Sequence, residues 1–305
     1  MKILIATEKP FAKTAVDGIR NIVENSGYEL CLLEKYTAES QFLSAVADVD
    51  ALIVRSDKVT KQVIDAAANL KIVVRAGAGF DNLDLAACTE KNVVAMNTPG
   101  QNSNAVAELV LGLMVFMNRN KFAAGTGVEL KGKKLGIHAY GNVGRLVARI
   151  AKGFGMEIWA FDPFVKKEMM QAEGVTVVDN VEDLYAHCNY VSLHIPATET
   201  TKKSINYKLL SLLPKGGCII NTARKEIIDE TDLLKILEER TDIKYAADVA
   251  PTNIAELEEK FGTRVFATPK KIGAETAEAN INAGLAAANQ IVNFFTNGDT
   301  TFKLN

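Results

Sequence analysis

The sequence predicts an α/β fold built from two doubly wound parallel sheets, and three observations carry that prediction. Short apolar runs alternate with amphipathic stretches over the first hundred residues. The alternation breaks at Asn97-Thr98-Pro99-Gly100 and restarts near Lys134. Residues 135–163, LGIHAYGNVGRLVARIAKGFGMEIWAFDP, then read as a buried strand, a glycine turn, a helix, a second buried strand and an acid.

In the first series, residues 3–6, 28–33, 51–54, 72–74 and 93–96 have the short apolar character of strands buried on both faces. Helical stretches fall between them near 11–25, 38–47, 60–69 and 83–91, and a long helix follows the break at about 105–119. The second series places strands at 135–139, 157–161, 190–195, 218–221, 245–249 and 265–268, with a weaker one near 176–178. A last helix over 276–295 is long enough to return to the first sheet, so the first domain is completed by the carboxyl terminus. No repeat of solenoid spacing and no low-complexity tract interrupts this pattern.

Bulk composition narrows the class. At 305 residues, with 48% apolar and 24% charged residues and a formal charge of −2, the chain has no pull toward nucleic acid or an anionic membrane. Any anion site is therefore a local cluster of arginines or lysines. Cys31, Cys88, Cys188 and Cys218 are scattered without a C-x-x-C pair, which fits reduced thiols rather than disulfides or a metal site. The first apolar run is too short for a signal peptide, and residues 105–117 carry Glu108 and fall short of a membrane span. A soluble, cytoplasmic protein is expected.

The turn at Ala139-Tyr140-Gly141-Asn142-Val143-Gly144 keeps two of the three glycines of a dinucleotide fingerprint. Gly141 leaves room for a pyrophosphate to approach the backbone, and Gly144 lets the helix pack closely on the strand. The helix start offers unpaired N–H groups and its positive dipole end to an anion. An amphipathic helix with Val143, Val147, Ile150 and Phe154 follows, then a strand that ends at Asp162-Pro163. A carboxylate at that place accepts hydrogen bonds from ribose hydroxyls and repels a 2′-phosphate, which selects NAD over NADP.

Parallel sheets bind ligands beyond the carboxyl ends of their strands. The polar residues at those ends are Arg55-Ser56, Arg75-Ala76-Gly77-Ala78-Gly79, Asp162, His194, Asn221-Thr222-Ala223-Arg224, Asp248 and Lys270-Lys271, several of them expected to meet in one cleft. Together with Asn97-Thr98-Pro99-Gly100, Ala107-Glu108 and Ser192-Leu193-His194-Ile195-Pro196, this ordered set resembles the D-isomer-specific 2-hydroxyacid dehydrogenases over nearly the whole chain. The resemblance implies a flavodoxin-like substrate domain (1–98 and 280–305), a Rossmann domain that binds NAD (99–279), and hydride transfer at C2 of a D-2-hydroxy acid. It places Tyr140, Gly141, Asn142, Val143, Gly144, Asp162, Pro163, His194, Pro196, Thr222, Ala223 and Asp248 around the cofactor. Arg224 takes the place of the substrate-orienting arginine, whose planar fork suits a 2-oxo acid. Ser56, Gly77, Ala78 and Asn102 fall at the substrate.

Arg55 and Arg75, at adjacent strand ends, favour a phosphorylated small molecule such as D-3-phosphoglycerate; pairing with Asp57, Asp81 or Asp84 is the plainer alternative. A glyoxylate or hydroxypyruvate enzyme, or an NAD-sensing homologue without turnover, are the other functions this pattern allows. For the remaining histidines, His138 is expected to be a satisfied core group, and His187 a helix-end residue without a role. The resemblance also implies that the helix at 105–119 lines a subunit contact, so a homodimer is expected. The chain closes soon after its last helix, so feedback by serine through a further regulatory domain is not expected.

One departure from the family pattern is sharp. The usual catalytic histidine and its partner glutamate are missing, because Thr268-Pro269-Lys270-Lys271-Ile272-Gly273 and Asp248-Val249-Ala250-Pro251-Thr252-Asn253 stand in their places. A lysine can carry the proton if burial and neighbouring cations lower its pKa. Counting back from Ile272-Gly273 favours Lys271, counting forward from Thr268-Pro269 gives Lys270, and Glu256 or Glu258 could stand in for the glutamate.

Overall fold

In a computed structural model that describes all 305 residues, the chain divides into two units, Met1–Asn102 with Glu275–Asn305, and Ser103–Ala274. In the first unit β1 (Lys2–Thr7), β2 (Glu29–Glu34), β3 (Ala51–Val54), β4 (Ile72–Arg75) and β5 (Val94–Asn97) form a parallel sheet in the order β2-β1-β3-β4-β5. The helices α1 (Lys13–Asn25), α2 (Glu39–Val46), α3 (Lys61–Ala66) and α4 (Leu85–Glu90) connect them. Every residue of β3 is buried, as a central parallel strand requires, whereas the edge strand β2 alternates. Thr60 and Asp84 start α3 and α4 by accepting from the backbone N–H groups of Val63 and Ala87. The outer edge of β5 is covered by the last residues: Leu304 N–H donates to Ala95 O, and Ala95 N–H donates to Asn305 Oδ1, both at 2.9 Å. That pairing hides an edge that would otherwise be open to another strand.

The second unit begins with α5 (Ser103–Asn118), whose Val110, Met114 and Met117 are fully buried. Its strands are β6 (Lys134–His138), β7 (Glu157–Phe161), β8 (Thr176–Val177), β9 (Tyr190–Leu193), β10 (Cys218–Asn221), β11 (Lys244–Ala247) and β12 (Val265–Ala267), all parallel in the order β12-β11-β10-β9-β6-β7-β8. The connecting helices are α6 (Asn142–Gly153), α7 (Lys167–Ala172), α8 (Val181–His187), α9 (Tyr207–Ser211), α10 (Glu230–Glu239) and α11 (Ile254–Phe261). The order reverses between β6 and β9, which is the doubly wound arrangement with its ligand crevice at that switch point. β9 and β11 stop two residues short of their expected ends. Each keeps one more ladder bond, from His194 N–H to His138 O and from Asp248 N–H to Asn221 O.

The buried stripe of α6 differs from the sequence reading. Gly144, Val147, Ala148 and Ala151 face inward, Val143 and Ile150 are half-buried, and Phe154 lies just past the helix end, 42% exposed. Small residues take the inner positions because the helix sits close on the sheet: a Cβ on Gly144 would lie 2.3 Å from Ala139 O and 2.9 Å from Ile137 Cγ2. No helix in the chain is long and apolar enough to cross a membrane.

The chain returns to the first unit through α12 (Ala277–Asn297), started by Thr276, whose hydroxyl accepts from Ala279 N–H. The junction falls before this helix because its whole length packs with the first unit. Contact with α1 is close. A Cβ on Gly18 would meet Leu285 Cδ2 at 2.6 Å, and one on Gly284 would meet Ile19 Cδ1 at 3.0 Å. Gln290 then donates to Asn97 O at 3.0 Å, which ties the helix to the end of β5. A Gly284→Val substitution should therefore push α12 off α1 and cost about 1–3 kcal/mol, read as a fall in thermal unfolding temperature.

Candidate active site

All the residues expected around the cofactor lie at the carboxyl edge of the seven-stranded sheet. The glycine turn follows β6, Asp162 and Pro163 follow β7, His194 and Pro196 follow β9, Thr222 and Ala223 follow β10, and Asp248 follows β11. At the turn, Ala139 holds φ at +82° although it carries a side chain. Such a conformation costs of order 1 kcal/mol and persists only where neighbours enforce it. They do so here: Tyr140 N–H donates to Asp162 Oδ2 at 2.7 Å, and the buried Tyr140 hydroxyl donates to Glu173 Oε2 at 2.9 Å. Arg145 closes the group, its Nε 3.2 Å from Glu173 Oε1. Glu173 had no sequence signal, being distant in the chain from the turn it anchors.

Gly141 and Gly144 have opposite environments. No atom lies within 4 Å of the place where a Cβ on Gly141 would stand, whereas Gly144 is boxed in by backbone. Open space in front of the α6 amino terminus is the shape a pyrophosphate needs. Asp162 also accepts from Phe164 and Val165 N–H at 2.8 and 3.2 Å, so its carboxylate fixes the loop as well as facing the cofactor side of the sheet. The Thr222 hydroxyl is buried and without a hydrogen-bond partner, an orphaned polar group of the kind a bound ligand satisfies. These features fit a dinucleotide.

Beyond β10 the segment 221–224 is braced by Asn221. Its Oδ1 accepts from Ala223 N–H and its Nδ2 donates to Arg224 O, both at 3.0 Å. Arg224 is half-buried and donates from Nη1 to Ala223 O at 2.9 Å. The brace was visible in sequence only as part of the Asn221-Thr222-Ala223-Arg224 marker.

Asp248 is almost wholly buried, and its carboxylate is engaged. Oδ1 accepts from the Thr268 hydroxyl at 2.9 Å and Ile272 N–H at 2.8 Å, while Oδ2 accepts from Gly273 N–H at 2.8 Å. The carboxylate thus closes a loop whose two ends are fixed, and Pro269, Lys270 and Lys271 are all exposed along it. This departs from the expectation that the lysines sit in a desolvated crevice: both are exposed. Glu256 pairs with Lys260 one turn along α11, at 2.9 Å, and Asn253 starts that helix with its Oδ1 buried and unpartnered.

In the first unit the expected substrate residues gather at the ends of β3 and β4, with Asn102 in the turn before α5. Gly77 has φ +147°, and Arg75 Nη1 lies 1.5 Å from where a Cβ would stand, so only glycine allows the guanidinium to fold over the turn. Asn97 pins the same turn by donating to Ala78 O at 2.6 Å, and Thr98 N–H donates to Gly77 O at 3.0 Å. Arg55 makes none of the aspartate pairings considered from sequence. It donates to Lys9 O at 3.0 Å, Pro10 O at 3.2 Å and Asn280 Oδ1 at 2.6 Å, and lies over the Phe11 ring. Ser56 is exposed beside it.

The histidines behave as core or edge groups. His138 is buried, with Nδ1 3.3 Å from the Tyr185 hydroxyl, and His187 ends α8 stacked on Trp159. His194 Nε2 is 2.9 Å from Ser192 Oγ, and burial with His138 nearby lowers its pKa to about 3.

Comparison with known proteins gives the same picture. The family model described as D-isomer specific 2-hydroxyacid dehydrogenase, NAD binding domain, matches residues 110–272. A crystal structure of NAD+-bound 3-phosphoglycerate dehydrogenase from Entamoeba histolytica superposes with a TM-score of 0.89, at 51% identity over 100% of this chain and 98% of that one. D-3-phosphoglycerate dehydrogenase of Methanocaldococcus jannaschii is 37% identical over 83% of this chain, which spans 51% of that protein's length. Hydroxypyruvate reductase of Thermotoga maritima is 35% identical over 86% of this chain and 90% of its own. The chain belongs to the D-isomer-specific 2-hydroxyacid dehydrogenase family, a family of oxidoreductases. Its cofactor is NAD, carried by the second unit.

Burial lowers the His138 pKa from 6.5 to about 4, so the ring is neutral in the folded chain, whereas the unfolded chain protonates near 6.5. Stability should therefore fall as pH drops through that window, by on the order of 3 kcal/mol, and change no further from this group below about pH 4. Urea unfolding across the window checks this, and His138→Gln should flatten the slope.

Proposed function

We propose that this chain oxidises the C2 hydroxyl of D-3-phosphoglycerate to 3-phosphohydroxypyruvate, the reaction that opens serine synthesis. The observation that carries the reading is Arg224, held by the Asn221 brace on the same sheet edge as the glycine turn and Asp162. The likeness to the Entamoeba histolytica protein supports the substrate.

Bound NAD supplies the acceptor for the C2 hydride. The α6 amino terminus and Gly141 hold its pyrophosphate, with Tyr140, Asn142, Val143 and Gly144 shaping the turn. Asp162 and Pro163 meet the adenosine ribose, and His194, Pro196, Thr222 and Ala223 line the rest, with Asp248 fixing the loop behind them. Arg224 grips the substrate carboxylate and the C2 oxygen together and stabilises charge at that oxygen. In the first unit, N–H groups near Gly77 and Ala78, with Ser56 and Asn102, are assigned to the substrate carboxylate, and Arg55 and Arg75 to the positive charge for a phosphate. The C2 hydroxyl proton passes to Nζ of a lysine in the 269–271 loop acting in its neutral amine form, Lys271 before Lys270.

A second reading has a specific observation in its favour. Arg55 is tied to two carbonyls and Asn280, which reduces its capacity for a phosphate, and one relative is named hydroxypyruvate reductase. Kinetics decide between them. Two charged contacts to a phosphate predict a kcat/KM for D-3-phosphoglycerate roughly 100-fold above that for D-glycerate. Parity overturns the proposal, and NAD binding without turnover of either compound points to a sensor. Lys271→Ala should lower kcat by about 10²–10⁴-fold, with a smaller loss in Lys270→Ala.

The two glycines separate cofactor binding from folding. Gly141→Ala should leave the unfolding temperature unchanged while weakening NAD at least about tenfold. Gly144→Ala, which forces a side chain against backbone, should cost about 1–3 kcal/mol of stability whether or not NAD is present.

A further inference from the structure

A cavity of about 320 Å³ opens at the carboxyl ends of β1, β2 and β3, walled by Glu8, Tyr36, Glu39, Phe42, Asp57 and Lys58. It lies where the order of the five-stranded sheet reverses between β1 and β3, the place at which open α/β sheets receive ligands. Of the residues assigned above to the substrate, Ser56 alone borders it.

We infer that this cavity binds a small organic ammonium ion, with the Asp57 carboxylate as its counter-ion. Asp57 is 6% exposed. Its Oδ1 accepts from Glu8 N–H at 2.7 Å and from the Tyr36 hydroxyl at 2.9 Å. Its Oδ2 is shielded from water and has no partner. A buried carboxylate oxygen without a donor is costly, and a ligand N–H reaching in from the cavity removes that cost.

The lining points to the same chemistry. Three acidic residues, Glu8, Glu39 and Asp57, and one lysine, Lys58, line the cavity, so its net charge attracts a cation and repels a phosphate or carboxylate. The Tyr36 and Phe42 rings, 5.5 Å apart and inclined at 42°, form an aromatic wall suited to the alkyl part of an amine and to a cation over a ring face. A metal ion is a poorer match, because no three acidic, histidine or cysteine side chains come together closely enough to hold one. The ligand class is thus a compact primary amine with a short hydrocarbon chain.

Isothermal titration of the full chain, with and without saturating NAD, tests the inference using propylamine hydrochloride, 1,4-diaminobutane dihydrochloride, 1-propanol and magnesium chloride. The two amines should bind saturably with the same affinity in the presence of NAD, and the alcohol and the magnesium salt should not. Asp57→Asn keeps an oxygen for Glu8 N–H and the Tyr36 hydroxyl but removes the charge, and should weaken amine binding by at least roughly tenfold while leaving NAD binding unchanged. Glu39→Gln, an exposed substitution that guards against misfolding of the first variant, should weaken it by about threefold. Amine affinity no better than that of the alcohol, magnesium bound in its place, displacement by NAD, or affinity unaltered in both variants would overturn the assignment.

Discussion

The carboxylate of Asp248 is the interaction on which the candidate active site most depends. It is buried, and it accepts from Thr268, Ile272 and Gly273, so both ends of one loop are fixed by one side chain. A charge kept from water is tolerated only when donors surround it, and here those donors are the loop's own backbone. Between the fixed ends of Thr268-Pro269-Lys270-Lys271-Ile272-Gly273, the side chains of Pro269, Lys270 and Lys271 are exposed. The family's most altered segment is thereby hung from an intact anchor.

Much of the fold was legible because parallel strands buried on both faces leave an unmistakable apolar signature. β3 and β10 matched residue for residue, and the glycine turn was placed correctly on its strand and helix. The inner face of α6 was read only in part, for a physical reason. Val147 and Gly144 face inward as expected and Val143 and Ile150 pack at the margin of the core, but hydrophobicity also drew the prediction to the exposed Phe154, while close approach to the sheet selects for smallness and turns Ala148 and Ala151 inward. The cover on β5 was equally hidden, since a single antiparallel bridge from Lys303 to Met96 has no periodicity to detect.

The site was legible as a set of strand ends and illegible as a network. Arg224, Asp162 and Asp248 all stand where the pattern put them, at the carboxyl edge of one sheet. What each side chain holds depends on partners far along the chain: Glu173 for Tyr140, Asn280 for Arg55, Gln290 for the end of β5. Lysine exposure was the largest miss. It follows from loop geometry, and counting residues from a motif says nothing about which way a side chain turns.

Ala139 carries a further implication. Its backbone sits in a region that alanine avoids, and Asp162, Glu173 and Arg145 secure the turn around it. Little ordering remains to be done when a dinucleotide arrives, so association should proceed with a small entropic penalty and without a slow rearrangement of this turn. The cost is carried permanently by the resting protein, as conformational energy stored in a single residue.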